Sequence, residues 1–212
     1  MMDSYLTLSG SSCEETIVSR SRFIGYASPC SDEAEAVAFL RRIQEKHKTA
    51  THHCYAYIIG ENSGIMRYSD DGEPGGTAGM PIMDVLRTKN LVNCCIVVVR
   101  YFGGVLLGTG GLVRAYTGSA QLAVEAAGIA RMELSSELIC ELPYSAWDRF
   151  RYATERLPVR LADISYGSSV AFRLIFRSRD KGTVIPKLAD AADRKWETIE
   201  GEDSFSAWNI DL

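Results

Sequence analysis

The chain has 212 residues, 46% hydrophobic and 24% charged, a composition suited to a globular protein with buried cores. Lys+Arg total 23 against 27 Asp+Glu, so the net charge is −4 and no global field draws the chain to nucleic acid. Divided at residue 135, the first part carries 12 Lys+Arg against 14 Asp+Glu and the second 11 against 13, so any nucleic-acid contact must use a local patch.

Residues 5–8 and 16–27 read as early strands. Ser31 then caps a helix with Glu33 and Glu35 in its first turn and Ala36, Phe39, Leu40 and Ile43 as its apolar positions, ending near Lys46-His47-Lys48. Residues 54–59 and 64–68 suit a hairpin, and 69–79 is a loop by composition, with four glycines, a proline and three acids. A helix begins at Met80 with Pro81 in its permitted first turn, and Asn90 closes it. Ile96-Val97-Val98-Val99 is an apolar β-branched run, the mark of a buried strand. Arg100-Tyr101-Phe102 leads from it into Gly103-Gly104 and Gly108-Thr109-Gly110-Gly111, and a helical pattern follows from Leu112 to Ala127. A β-rich half with a few packed helices is an α+β domain.

An alanine-rich helix gives way to new strand patterns near Glu133 to Ser136, so the expected domains are 1–134 and 135–212. In the second, strands at 138–142, 159–166 and 170–177, helices at 144–157 and 181–195, and a last strand within 196–210 give the order β-α-β-β-α-β of a ferredoxin-like domain. The six cysteines include no C-x-x-C pair, the start lacks a basic then apolar signal pattern, and no apolar run approaches a membrane span. These features point to a cytoplasmic chain with reduced thiols and no membrane partner.

Strand, glycine loop, helix is the order that places backbone N–H groups at a helix N-terminus, where partial positive charge favours an anion. Arg100 and Arg114 add fixed charge at the two ends of the loop. The candidate ligand-binding set is therefore Arg100, Gly103, Gly104, Gly108, Gly110, Gly111 and Arg114, with Thr77, Arg67 and His53 beside it. The acids Asp70, Asp71 and Glu73 suit a hard cation and define the one place for a metal, if there is any. His52 or His53 would then supply a base. Equally, Asp70 or Asp71 can pair with Arg67, Arg100 or Arg114 and lock the two glycine loops together. No catalytic residue and no cofactor is assigned. Zinc is disfavoured because His52 and Cys54 share a strand face while His53 points away, and no second pair has ligand spacing. Neither glycine cluster has a Walker lysine, and Val113 stands where a Rossmann loop needs its third glycine. In the second domain Arg173, Ile175, Arg177 and Arg179 alternate with Phe172, Leu174 and Phe176, placing the arginines and Tyr166, a candidate for base stacking, on the open sheet face, read first as a solvated face.

Three ordered blocks carry a resemblance. They are Thr51-His52-His53-Cys54-Tyr55-Ala56-Tyr57, then Ser69-Asp70-Asp71-Gly72-Glu73-Pro74 through Met80-Pro81, then Arg100-Tyr101-Phe102-Gly103-Gly104 with Leu107 through Tyr116. Together they closely resemble the hallmarks of the YigZ/IMPACT family; the family usually carries a lysine where this chain has Leu106, which implies weaker anion binding here. The resemblance implies a first domain like the second domain of ribosomal protein S5 and, in bacterial members, a ferredoxin-like second domain. It also implies a role at or near translation, through RNA, a ribosome-associated factor, another anionic surface or a protein partner. The competing class is a metal-dependent hydrolase or transferase built on Asp70, Asp71 and Glu73.

Overall fold

A computed structural model of the chain describes residues 3–208, a mixed α+β protein with antiparallel sheets. It forms two compact units that part between Arg131 and Met132.

The first unit contains β1 (Ser4–Leu8), β2 (Ser12–Val18), β3 (Ser21–Pro29), α1 (Glu33–Lys46), β4 (His52–Ile59), β5 (Ile65–Ser69), α2 (Gly79–Thr88), β6 (Cys94–Tyr101) and α3 (Gly108–Ala127). Five strands make an antiparallel sheet in the order β2-β3-β6-β4-β5. The central strand β6 is buried on both faces, which is why it reads as a continuous apolar run. Its even-numbered residues Cys94, Ile96 and Val98 join Phe23, Cys54 and Ala56 under α2 and α3, while Cys95, Val97 and Val99 join Tyr26 and Tyr57 under α1. Period-two alternation thus assigns every residue at the end of β6 to one face or the other.

Four boundaries differ from the sequence expectation. The stretch 16–27 is not one run. It breaks at Ser19 (φ 47°) and Arg20 (φ 66°), a tight turn with two left-handed residues that joins β2 to β3. Asp32, not Ser31, caps α1, its carboxylate accepting from the Glu35 amide at 2.8 Å while the Ser31 amide donates to Glu35. Helix α3 begins at Gly108, so three of the loop glycines form its first turn and the connection from β6 spans only residues 102–107. Beyond Gly128, β7 (Ile129–Leu142) starts well before residue 138.

The second unit continues along β7 with α4 (Tyr144–Thr154), β8 (Val159–Tyr166), β9 (Val170–Arg177), α5 (Lys181–Ala191), β10 (Glu197–Glu200) and β11 (Ser204–Trp208). Its strands run β10-β7-β9-β8, with β11 also paired to β7. The expected last strand is therefore two short ones, and residues 209–210 of that expectation lie outside the described residues. Phe172, Leu174 and Phe176 pack with Trp147, Phe150, Val184 and Leu188 under α4 and α5. The opposite face holds Arg173, paired with Asp163 (2.6 Å) and Glu137 (3.0 Å), and Arg177, 3.3 Å from Glu133 and under the Trp208 ring. Arg179 lies beyond the strand and pairs with the same Glu133. Tyr166 is not on that face. A register shift between Ala162 and Ser165 reverses the alternation, and Tyr166 stacks on Tyr144 and meets Trp147 on the helix side.

Candidate functional site

The end of the sheet that carries the motif residues is set by register. Arg100 lies opposite both Phe23 on β3 and His52 on β4, so three strands deliver side chains to one place on the α2/α3 face. The Arg100 guanidinium is buried there, 5.4 Å from the rings of Phe23 and Phe102. One of its nitrogens donates to Glu73 Oε1 at 2.6 Å and another to Ser21 Oγ at 3.3 Å. Tyr116, from α3, donates its hydroxyl to the same Glu73 oxygen at 2.7 Å, and its ring meets Phe23 edge-on at 5.3 Å. Burial first, then Cys54 and Glu73, holds the Tyr116 hydroxyl far above its ordinary pKa, so it stays a donor. Burial likewise pushes the Cys54 thiol up to about 12, which leaves no thiolate to act as a nucleophile.

The acidic loop folds inward on itself. One Asp70 carboxylate accepts the amides of Gly76, Ala78 and Gly79 at 2.8–3.0 Å. Burial alone would raise its pKa, but the three amides overcome that and hold the carboxyl below its usual range. Asp71 accepts the His53 amide at 2.6 Å, and its carbonyl receives the His52 Nδ1 proton at 2.7 Å. That donation leaves His52 Nε2 facing Glu73 Oε1 at 3.8 Å. The expected lock between the two glycine loops exists, but Glu73 makes it with Arg100, and neither Asp70 nor Asp71 pairs with an arginine.

The candidate ligand residues separate into three groups. Arg67 and His53 belong to the α1 side of the sheet: Arg67 lies opposite Tyr57 and 3.9 Å from Glu33, and His53 reaches the His47 carbonyl at 3.1 Å. Arg100 and Thr77 are buried and internally engaged, Thr77 donating to the Pro74 carbonyl at 2.6 Å, so neither presents a group to a ligand. The Gly103 amide is taken by Ser21 Oγ at 3.2 Å. What stays open is the start of α3. Gly104, Gly108 and Gly110 are exposed, and among the described residues no side chain caps the first amides of the helix. Arg114 is exposed, makes no ion pair among the described residues, and lines a cavity of about 300 Å³ with Gly111, Leu107, Val18 and Ser19.

Sequence reading missed Ser21, Tyr116 and the Ser19-Arg20 turn as parts of the site. Tyr116 read as one more apolar position of α3, and Ser21 lay hidden in a run that looked like continuous strand. The signal available for Tyr116 was its place at the end of the third motif block.

Comparison with known proteins bears on the same residues. The family model of the Impact N-terminal domain matches residues 19–124, from the β2–β3 turn through most of α3. The chain is 35% identical to the IMPACT family member YvyE of Bacillus subtilis over 95% of this chain and 93% of that protein. To the IMPACT family member YigZ of Escherichia coli it is 32% identical, over 82% and 86% of the two chains. Xenopus tropicalis Protein IMPACT-A is 35% identical over 44% of this chain and 31% of its own length. A crystal structure described as that of a hypothetical protein superposes with a TM-score of 0.62 at 29% identity, covering 95% of this chain and 99% of that one. The chain belongs to the IMPACT family.

Proposed function

We propose that this protein is a translation-associated regulatory factor that binds an anionic partner, foremost the phosphates of RNA, at the start of α3. One observation carries the reading: Arg114, with no ion pair among the described residues, lines a cavity beside a helix N-terminus whose first amides none of those residues caps. Free N–H groups and a guanidinium together suit a phosphate oxygen. Arg20, exposed in the adjoining turn, extends the positive edge. Arg100 does not touch the ligand in this reading. With Glu73 it fixes Ser21, which in turn holds Gly103 and the entry to the open segment.

The metal-dependent hydrolase loses ground, because Asp70 is engaged by three amides and Glu73 by Arg100 and Tyr116. The reading extends to compartment and architecture. It places the protein in the cytoplasm, with an S5 domain 2-like domain over 1–134 and a ferredoxin-like one over 135–212. The strand order β10-β7-β9-β8 supports the latter, since it puts the last strand beside the first and the third beside the second.

The test is binding of labelled single- and double-stranded RNA at two salt concentrations, with wild type and Arg114→Ala. Affinity that falls with salt and disappears in the variant is the expected result, because released counterions make phosphate contacts salt-dependent. Thermal stability of the variant should match wild type. Binding unchanged by Arg114→Ala overturns the site, and no RNA binding by wild type moves the partner to a protein.

A further inference from the structure

A second cavity lies at the opposite end of the same sheet. Strand β4 runs from His52, beside the Arg100 cluster, to Ile58, and six steps of about 3.3 Å separate those ends by about 20 Å. The cavity measures about 400 Å³ and opens between β1, the β4–β5 turn, the end of α2 and Arg131. Its floor is apolar: Leu6, Ile58, Met66, Leu91 and Val92, of which Ile58, Leu91 and Val92 are core residues. Its mouth is polar and exposed, with Arg87, Arg131, Asn90 and Glu61. A recess of this size, with apolar side chains beneath a polar mouth, has the form of a small-molecule site.

The sign of the mouth follows from what is already paired. The last-turn carbonyls of α2 are occupied, since the amides of Lys89, Asn90 and Leu91 donate to Val85, Arg87 and Leu86 at 2.9–3.2 Å. Helix carbonyls therefore do not neutralise the arginines. Among the described residues Arg87 has Asp84, at 4.0 Å on an exposed face, and the Met66 sulfur at 3.7 Å as its partners. Such a surface pair is weak and leaves the guanidinium available. Arg131 makes no ion pair among the described residues, and neither does Glu61, the one carboxylate of the mouth. Two available guanidinium groups over a hydrocarbon floor favour an anion with an apolar body.

We propose that this cavity binds a small organic carboxylate, its charged end at Arg87 and Arg131 and its hydrocarbon against Leu6 and Met66, the partly exposed apolar residues of the lining. The site is separate from the start of α3, and the two can be tested independently. Isothermal titration calorimetry of the full chain with octanoate, and with 1-octanol as the uncharged counterpart, provides the test. Octanoate should saturate one site, with 1-octanol at least tenfold weaker. The double variant Arg87→Gln/Arg131→Gln should lower octanoate affinity to the level of 1-octanol. It should keep the wild-type melting temperature, because both side chains are exposed, while Arg114→Ala should bind octanoate as wild type does. Absence of saturable octanoate binding by wild type overturns the proposal. So does octanoate affinity unchanged in the double variant, or 1-octanol binding as tightly as octanoate.

Discussion

Two glycine-containing loops that each lead from a strand into a helix meet opposite fates in this protein. The acidic loop between β5 and α2 is rich in glycine and charge, yet Asp70 and Glu73 are held by groups of the protein itself. The glycine loop between β6 and α3 has no charged residue of its own, and the helix it leads into keeps exposed first-turn glycines and Arg114, which makes no ion pair among the described residues. The difference teaches where to look for function. A charged loop that satisfies its own groups is scaffold, however suggestive its residues, and a loop that leaves donors unmet is a place for a partner.

The comparison can be broken most forcefully at the buried pair. Arg100→Met leaves the Glu73 carboxylate buried with only Tyr116 as its close donor, and should cost about 3–5 kcal/mol, read as a lower urea midpoint at constant slope. The border between the locked and open parts of the glycine loop comes next. A Cβ on Gly103 would stand 2.0 Å from the Arg20 carbonyl oxygen, so Gly103→Ala must displace backbone and should cost about 3 kcal/mol by the same measurement. Asp70→Asn should cost about 2 kcal/mol, because a charged acceptor of three amides becomes a neutral one.

Asp70 also has a pH signature. Its folded pKa is depressed, so its contribution is present above the unfolded value of about 4 and is lost as pH falls through the folded one. Acid unfolding of wild type should steepen in that window, and the step should be missing in Asp70→Asn. The smallest effect belongs to the open segment. Gly104 has φ 81° and empty space around its Cβ position, so Gly104→Ala should cost only about 1 kcal/mol of backbone strain. A larger loss there, measured by the same urea titration, would mean that the segment is more closely held than its geometry indicates.

Much of the α+β layout was legible because it rests on periodicity. The apolar run of β6, the helical spacing from Leu112 to Ala127 and the strand alternation of residues 170–177 each follow from which faces must be buried. Turn chemistry was harder to read, since Ser19 and Arg20 adopt left-handed backbone without the Gly or Asn that announces it. The bulge in β8 was invisible for the same reason, and it moved Tyr166 to the other side of its sheet.

The motif residues were also legible as a set, but the structure divides them, with Arg67 and His53 on the α1 side of the sheet, and their roles were not legible. By itself the sequence determined that Asp70 and Glu73 follow one strand and Arg100 and the glycines another, each ahead of a helix; strand order and register came from the structure. Only the tertiary structure decided which charge meets which: that Glu73 reaches Arg100 across 27 residues of chain, that Tyr116 joins them from α3, and that Arg114 is left alone. The physical reason is that hydrogen bonds and ion pairs act over about 3 Å, a length at which the face of a strand or the phase of a helix decides everything.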